Sequence, residues 1–255
     1  MEKRLSAPEG PRRNIERKPT TPLFEITLMR HAKPYYSDEG HDLTPEGVEQ
    51  ATSAGKMMKD SGYFDGSDVY LVHSPTPRAK GTLEFVAEAA GLEDETARSI
   101  NQLRRSDIHD MDTFLASFAE LAETEGLDPA EAAAKHHYVH PMHEEGVIIE
   151  KASKKRERLY RSLENLARWF ETHPNESGKT PHVLAVSHFE IITHLLHDVF
   201  DITTMDSYNR PAFAEMLRIK AYPGGDKKLR LLVSYNGLEK EAIFDRNKRA
   251  IESAS

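Results

Sequence analysis

Over 255 residues the chain sets 34 lysines and arginines against 42 aspartates and glutamates, a formal charge of −8, and it contains no cysteine. That length suits one domain with an insertion, and the missing thiol excludes disulfides, cysteine nucleophiles and cysteine-bound zinc or iron-sulfur centres. The acidic balance excludes a general affinity for nucleic acid or anionic membrane, partners held by an excess of basic side chains on one face, although an anionic substrate would still fit a local basic pocket.

Residues 1–22 are poor in large apolar side chains and carry six basic against three acidic groups, so they are expected to form a disordered basic arm. They contain no hydrophobic secretory core, and no window approaches the roughly 18 apolar residues of a membrane span; the chain is expected in the cytoplasm. An apolar run, Leu23 to Met29, then predicts a first strand that stops abruptly at Arg30, His31 and Lys33 before Pro34. After a polar loop comes "LTPEGVEQATSAGKMMKDSG", where Thr44 as N-cap and Pro45 at the first helical position open a helix that Gly62 closes. "SDVYLVHSPTP" reads as a short buried strand ending at His73 or Ser74. In the stretch that follows, Ala79, Leu83, Val86 and Ala90 fall at helical spacing.

"ARSINQL" is a candidate third strand, after which residues 108–145 break the alternation with short helical segments and several histidines. They read as a cap inserted over one sheet edge. A long amphipathic helix from about Lys151 to His173 leads into "HVLAVSH", the most strand-like run of the chain. "FEIITHLLHDVF" returns to helix, and "AFAEMLRIKAY" and "KKLRLLVSY" form a closing hairpin around "PGGD". Residues 23–245 therefore make one domain, and residues 246–255 a flexible tail. Alternating strands and helices predict an α/β fold, a three-layer α/β/α sandwich with a mostly parallel central sheet and a helical cap insertion. In such a sheet, ligands bind beyond the carboxyl ends of the strands.

Those ends are "RHAK", "HSPTPR" and "SHFE". Two arginines, Arg30 and Arg78, offer paired charge-assisted hydrogen bonds of the kind that hold phosphate, and helix starts behind the strands add backbone donors. A neutral imidazole, at His31 or His188, can attack phosphorus and pass the phosphoryl group to water. With cysteine absent, histidine is the natural nucleophile.

Four stretches in this order, "LMRHAK", "LTPEGVEQA", "SPTPRAKGT" and "VLAVSH", resemble the histidine phosphatase superfamily, also called the phosphoglycerate mutase-like family, over residues 23 to about 200. The resemblance implies a phosphohistidine mechanism without cofactor or metal. His31 takes the place of the nucleophile, and Arg30, Arg78 and His188 that of the groups holding the phosphoryl oxygens. The chain departs from the family at Ala32, where glycine is commoner, and at Phe189 and Glu190 after the second histidine, where many members have small residues. It also lacks the glutamate that many members place after the third strand as general acid. Asp107 is the first candidate for that role, Glu190 the second and Asp110 the third; Asp107 is equally suited to pairing with Arg104 or Arg105.

The loop between His31 and Leu43 lacks the asparagine and aromatic-rich stretch with which sugar-phosphate mutases of the family hold a second phosphate. The expected activity is therefore hydrolysis of a phosphomonoester, small or protein-borne, with a phosphomutase or an inactive phosphate-binding module as alternatives. Lys33 and Ser37 in that loop are candidate substrate contacts, as is Glu190, with a solvated lysine and a turn serine as the plainer readings. His136, His137, His140 and His143 have spacings that would suit zinc or nickel on one helical face. Pro141 interrupts that face and no carboxylate accompanies it, so a solvated or cap-lining cluster is expected instead. The partner expected is a phosphorylated substrate; the sequence leaves the oligomeric state open.

Overall fold

A computed structural model of the chain describes residues 21–35, 43–129, 132–133, 149–202 and 211–253. The basic arm up to residue 20, Ser37 and the four histidines of the cap lie outside the described residues. The first strand, β1 (Phe24–Arg30), is buried at all seven positions. It runs between β4 (Thr180–Ser187), parallel to it, and β5 (Met216–Pro223), antiparallel to it, with both its faces covered. Ile26 and Leu28 point into the larger core, against α5 (Ala152–Thr172) and α6 (Phe189–Phe200). Met29 points into the other, against α1 (Pro45–Asp60) and α2 (Pro77–Ala90). Burial on both faces is why this strand reads as a continuous apolar run rather than an alternation.

The sheet has eight strands in the order β3-β2-β4-β1-β5-β6-β7-β8. Its first half is parallel, from β3 (Arg98–Ser99) through β2 (Ser67–His73) and β4 to β1. Its second half, β5, β6 (Lys228–Tyr235), β7 (Leu238–Asp245) and β8 (Ala250–Ser253), is antiparallel throughout. The sheet is thus mixed, which corrects the expectation of a mostly parallel one. The physical reason is connection length: two-residue and other tight turns join only antiparallel neighbours, and β6 meets β7 through Asn236 and Gly237, both at positive φ. The segment expected to be a flexible tail contributes β8, and "ARSINQL" yields only the two residues of β3 followed by a 3-10 turn, Asn101–Leu103.

Within the cap, α3 (Met111–Ala116) and α4 (Ala119–Glu125) share a small core of their own, in which Phe114, Phe118 and Ala122 meet Ile149. Among the described residues no helix is long and apolar enough to cross a membrane.

The start of α1 is fastened to the chain just beyond His31. Thr44 caps the helix by accepting from the Gly47 N–H at 3.0 Å, and its hydroxyl donates to the Lys33 carbonyl at 3.2 Å. The Lys33 N–H in turn donates to Gln50 Oε1 at 3.0 Å. Gly47 lets the helix approach that closely, since a Cβ there would lie 2.1 Å from the Lys33 carbonyl oxygen. Gly47→Ala is therefore expected to destabilise the fold by about 1–3 kcal/mol, the usual cost of forcing atoms into a filled space, measured by chemical denaturation. An unchanged midpoint would count against the tight fastening.

Candidate active site

Three loops meet where β1, β2 and β4 end. The His31 N–H donates to the Ser187 carbonyl and the Ser74 N–H to the Val186 carbonyl, each at 2.9 Å, so the chain leaving β1 and β2 is tied to the last turn of β4. His188 follows as the N-cap of α6, and Arg78 stands in the first turn of α2. The expected quartet of Arg30, His31, Arg78 and His188 is brought together. The two imidazole rings lie 5.1 Å apart at their centroids, inclined by 66°, and Arg78 bridges them.

Hydrogen-bond partners assign both tautomers. His31 Nδ1 sits 2.8 Å from the Ala32 carbonyl, which can only accept, so Nδ1 carries the proton and Nε2 holds a lone pair. Arg78 Nε donates to that lone pair at 3.2 Å. On His188, Arg78 donates through its terminal nitrogen to Nδ1 at 3.4 Å, leaving the Nε2–H to donate to Ser74 Oγ at 2.8 Å. Burial, the neighbouring His188 and the two guanidinium groups hold the His31 pKa well below the ordinary value. Burial, then Arg78, lowers His188 to about 3, although Glu190 pulls the other way. Both rings are neutral at physiological pH, the state in which an imidazole nitrogen is nucleophilic.

Arg30 is gripped from three sides. Its guanidinium donates to the Pro211 carbonyl at 2.6 Å, lies 3.9 Å from the centre of the Phe213 ring, and faces Phe189 at 5.2 Å. Phe189 thus helps to hold an arginine over the pocket. Phe213 also stands against His31, 5.8 Å between ring centroids. Thr82 secures the last contact: its hydroxyl accepts the Ala32 N–H at 2.9 Å and donates to the Arg78 carbonyl at 2.7 Å.

The three carboxylate candidates are in different settings. Asp107 is half exposed and paired with Arg104. Asp110 caps α3, accepting from the Thr113 N–H at 3.0 Å and the Thr113 hydroxyl at 2.7 Å, bonds that lower its pKa and so disfavour a proton donor. Glu190 is buried in the first turn of α6, beside His188, and accepts from Ser106 Oγ at 3.5 Å. A fully buried Lys155 donates to the same hydroxyl at 3.0 Å. Lys33 forms an exposed ion pair with Glu46 at 2.5 Å. Among the described residues no group of three or more His, Asp or Glu is placed to hold a metal ion.

Sequence reasoning passed over Ser74 and Thr82, although both stand in the quoted "SPTPRAKGT". It also passed over Phe213, Ser106 and Lys155, whose roles arise from contacts across the fold and leave no local signal.

These buried histidines also set the acid stability. His182, fully buried, has its pKa lowered to about 3, chiefly by burial. In the unfolded chain all three rings titrate near the ordinary value of about 6.5, so below that pH the unfolded state binds protons that the folded state refuses. Stability is expected to be complete above pH ~6.5 and to fall as the pH drops towards 3, by about 1.4 kcal/mol per unit for each ring. Thermal denaturation between pH 7.5 and 5 measures this, and a flat profile would contradict the neutral burial.

A family model described as histidine phosphatase superfamily (branch 1) matches residues 26–232. No curated protein matches the chain at the sequence level. Among solved structures, a phosphoglycerate mutase from Bacillus anthracis str. Sterne is similar at a TM-score of 0.53 and 17% identity, over 85% of this chain and 90% of that one. A mycobacterial glucosyl-3-phosphoglycerate phosphatase is similar at 0.55 and 15%, over 83% and 97%. YhfR of Bacillus stearothermophilus is similar at 0.52 and 19%, over 84% and 96%. At these identities the likeness is one of fold.

Proposed function

The chain belongs to the histidine phosphatase superfamily, and from that premise we propose that it hydrolyses a phosphomonoester through a phosphohistidine at His31. The observation that carries this reading is the lone pair on His31 Nε2, met by Arg78 and flanked by His188 in a buried pocket. An incoming phosphoryl group would take over the Arg78 donors, and its oxygens would be held by Arg30, Arg78 and His188. Charge placed in advance, in a dry site, is usually the largest contribution to such catalysis.

In the first step His31 Nε2 bonds to phosphorus as the bond to the ester oxygen breaks, and a carboxylic acid gives that oxygen its proton. In the second, water attacks the phosphohistidine, the P–N bond breaks, and the same carboxylate accepts a proton from the water. Glu190 is assigned as this acid because it is buried in the first turn of α6 beside His188, whereas Asp107 is half exposed.

The direct test is to mix the protein with an aryl phosphate in excess chelator, quench at low temperature and look for a phosphoenzyme that is labile to acid and stable to base. Vanadate should inhibit. Phosphate binding without any phosphoenzyme or turnover would instead identify an inactive phosphate-binding module.

A further inference from the structure

Where β1 ends, the residue opposite Arg30 is Glu215, which the proposed reaction does not use. The Arg30 N–H donates to the Glu215 carbonyl at 2.9 Å, one step beyond the register that pairs Met29 with Met216. Before Glu215 the chain turns tightly, the Glu215 N–H donating to the Ala212 carbonyl at 3.2 Å. The Glu215 carboxylate collects three donors. Oε2 accepts from the Ala212 N–H of the same turn and from the Tyr235 hydroxyl at 3.0 Å, and Oε1 accepts from the Asn236 side-chain amide. Tyr235 ends β6 and Asn236 opens the turn to β7, so this carboxylate ties the 211–215 turn to the antiparallel half of the sheet. Burial, then Glu215, pushes the Tyr235 pKa up, so its hydroxyl keeps its proton and stays a donor.

The same turn carries two of the groups that grip Arg30. The Pro211 carbonyl accepts from the guanidinium at 2.6 Å, and the Phe213 ring lies against it at 3.9 Å. Between Phe213 and Glu215 stands Ala214 at φ 59°, a left-handed conformation that a Cβ disfavours. A turn holding such a residue keeps its shape where surrounding bonds fix it, and the Glu215 carboxylate supplies such bonds at its end.

We propose that Glu215 is the positioning residue for Arg30: by clamping the 211–215 turn to Tyr235 and Asn236, it sets the carbonyl and the ring that aim the guanidinium at the phosphoryl oxygens. The proposal rests on the reading that the pocket holds a phosphoryl group. An arginine side chain has several free torsions, and one already aimed loses less freedom when the anion arrives, so the clamp acts on affinity. A carboxylate suits the post because it only accepts, and all three facing groups offer protons.

The experiment is a calorimetric titration of the full chain with orthovanadate, which reads affinity without turnover. Glu215→Ala should weaken binding about tenfold. Glu215→Gln should stay within about threefold of the parent, because its carbonyl can accept from Ala212 and Tyr235 while the Asn236 amide turns over to meet its NH2. The decisive variant is double. In an Arg30→Ala background Glu215→Ala should cost less than about twofold, since no guanidinium is left to aim, whereas a residue that only supports the fold costs the same in both backgrounds. Tyr235→Phe takes the place of Glu215→Ala if that variant does not fold, with a loss of about threefold that likewise vanishes without Arg30. The proposal is overturned if the variant binds vanadate like the parent, if Glu215→Gln binds as weakly as Glu215→Ala, or if the loss persists in full without Arg30. The two readings fail separately. Vanadate binding without any phosphoenzyme sinks the hydrolysis alone, and a phosphoenzyme in a protein whose Glu215→Ala variant binds vanadate like the parent sinks the clamp alone.

Discussion

His31→Ala is expected to lower turnover of an aryl phosphate by at least ~10³-fold, because the bond to phosphorus has no other donor of comparable placement. His188 is the nearest substitute, yet its Nε2–H is committed to Ser74 and its Nδ1 to Arg78. The variant should keep its affinity for vanadate within about tenfold, since Arg30, Arg78 and His188 remain, and it should form no acid-labile phosphoenzyme. Initial rates, vanadate inhibition of the residual activity and the quench assay measure the three quantities separately. Turnover within tenfold of the parent would remove His31 from the chemistry.

Glu190→Gln is expected to slow alkyl phosphates by ~100-fold while leaving aryl phosphates within a few-fold, because an alkoxide must be protonated as it leaves and a phenolate hardly needs to be. The amide keeps the shape and the bond from Ser106 but has no acidic proton. Asp107→Asn should be nearly silent on both substrates, as it removes only a half-exposed partner of Arg104. The ratio of alkyl to aryl turnover in the two variants decides the matter. A selective loss in Asp107→Asn, with Glu190→Gln silent, would return the acid to the segment after β3.

The parallel half of the sheet and its helices were legible because their signals are local. Thr44 and Pro45 open α1 as expected, and the apolar runs of β1 and β4 follow from burial on both faces. The same localness exposed Arg30, His31, Arg78 and His188, each at or just past a strand end or at a helix start. β7 escaped notice because "LEKEAIFD" is charged over its first half and buries mainly Ala242, Phe244 and Asp245; the Asn236-Gly237 turn before it was the usable sign. Asp107 is the first candidate acid in the sequence because proximity to β3 is the only measure available there. Burial, which separates it from Glu190, depends on how α6 and Ser106 come together.

The strand β8 has a meaning for the molecule's behaviour among its own copies. An outermost strand offers its spare N–H and C=O groups as a template to any other chain, and a long, flat one invites stacking. Here the outermost strand is four residues, with Glu252 drawn to Lys248 at 2.6 Å and to Lys228 at 3.6 Å. Without it the eight residues of β7 would be the margin of the sheet, with the apolar Ala242 and Phe244 at its end. The last described strand of the chain therefore acts as a guard against self-templated aggregation.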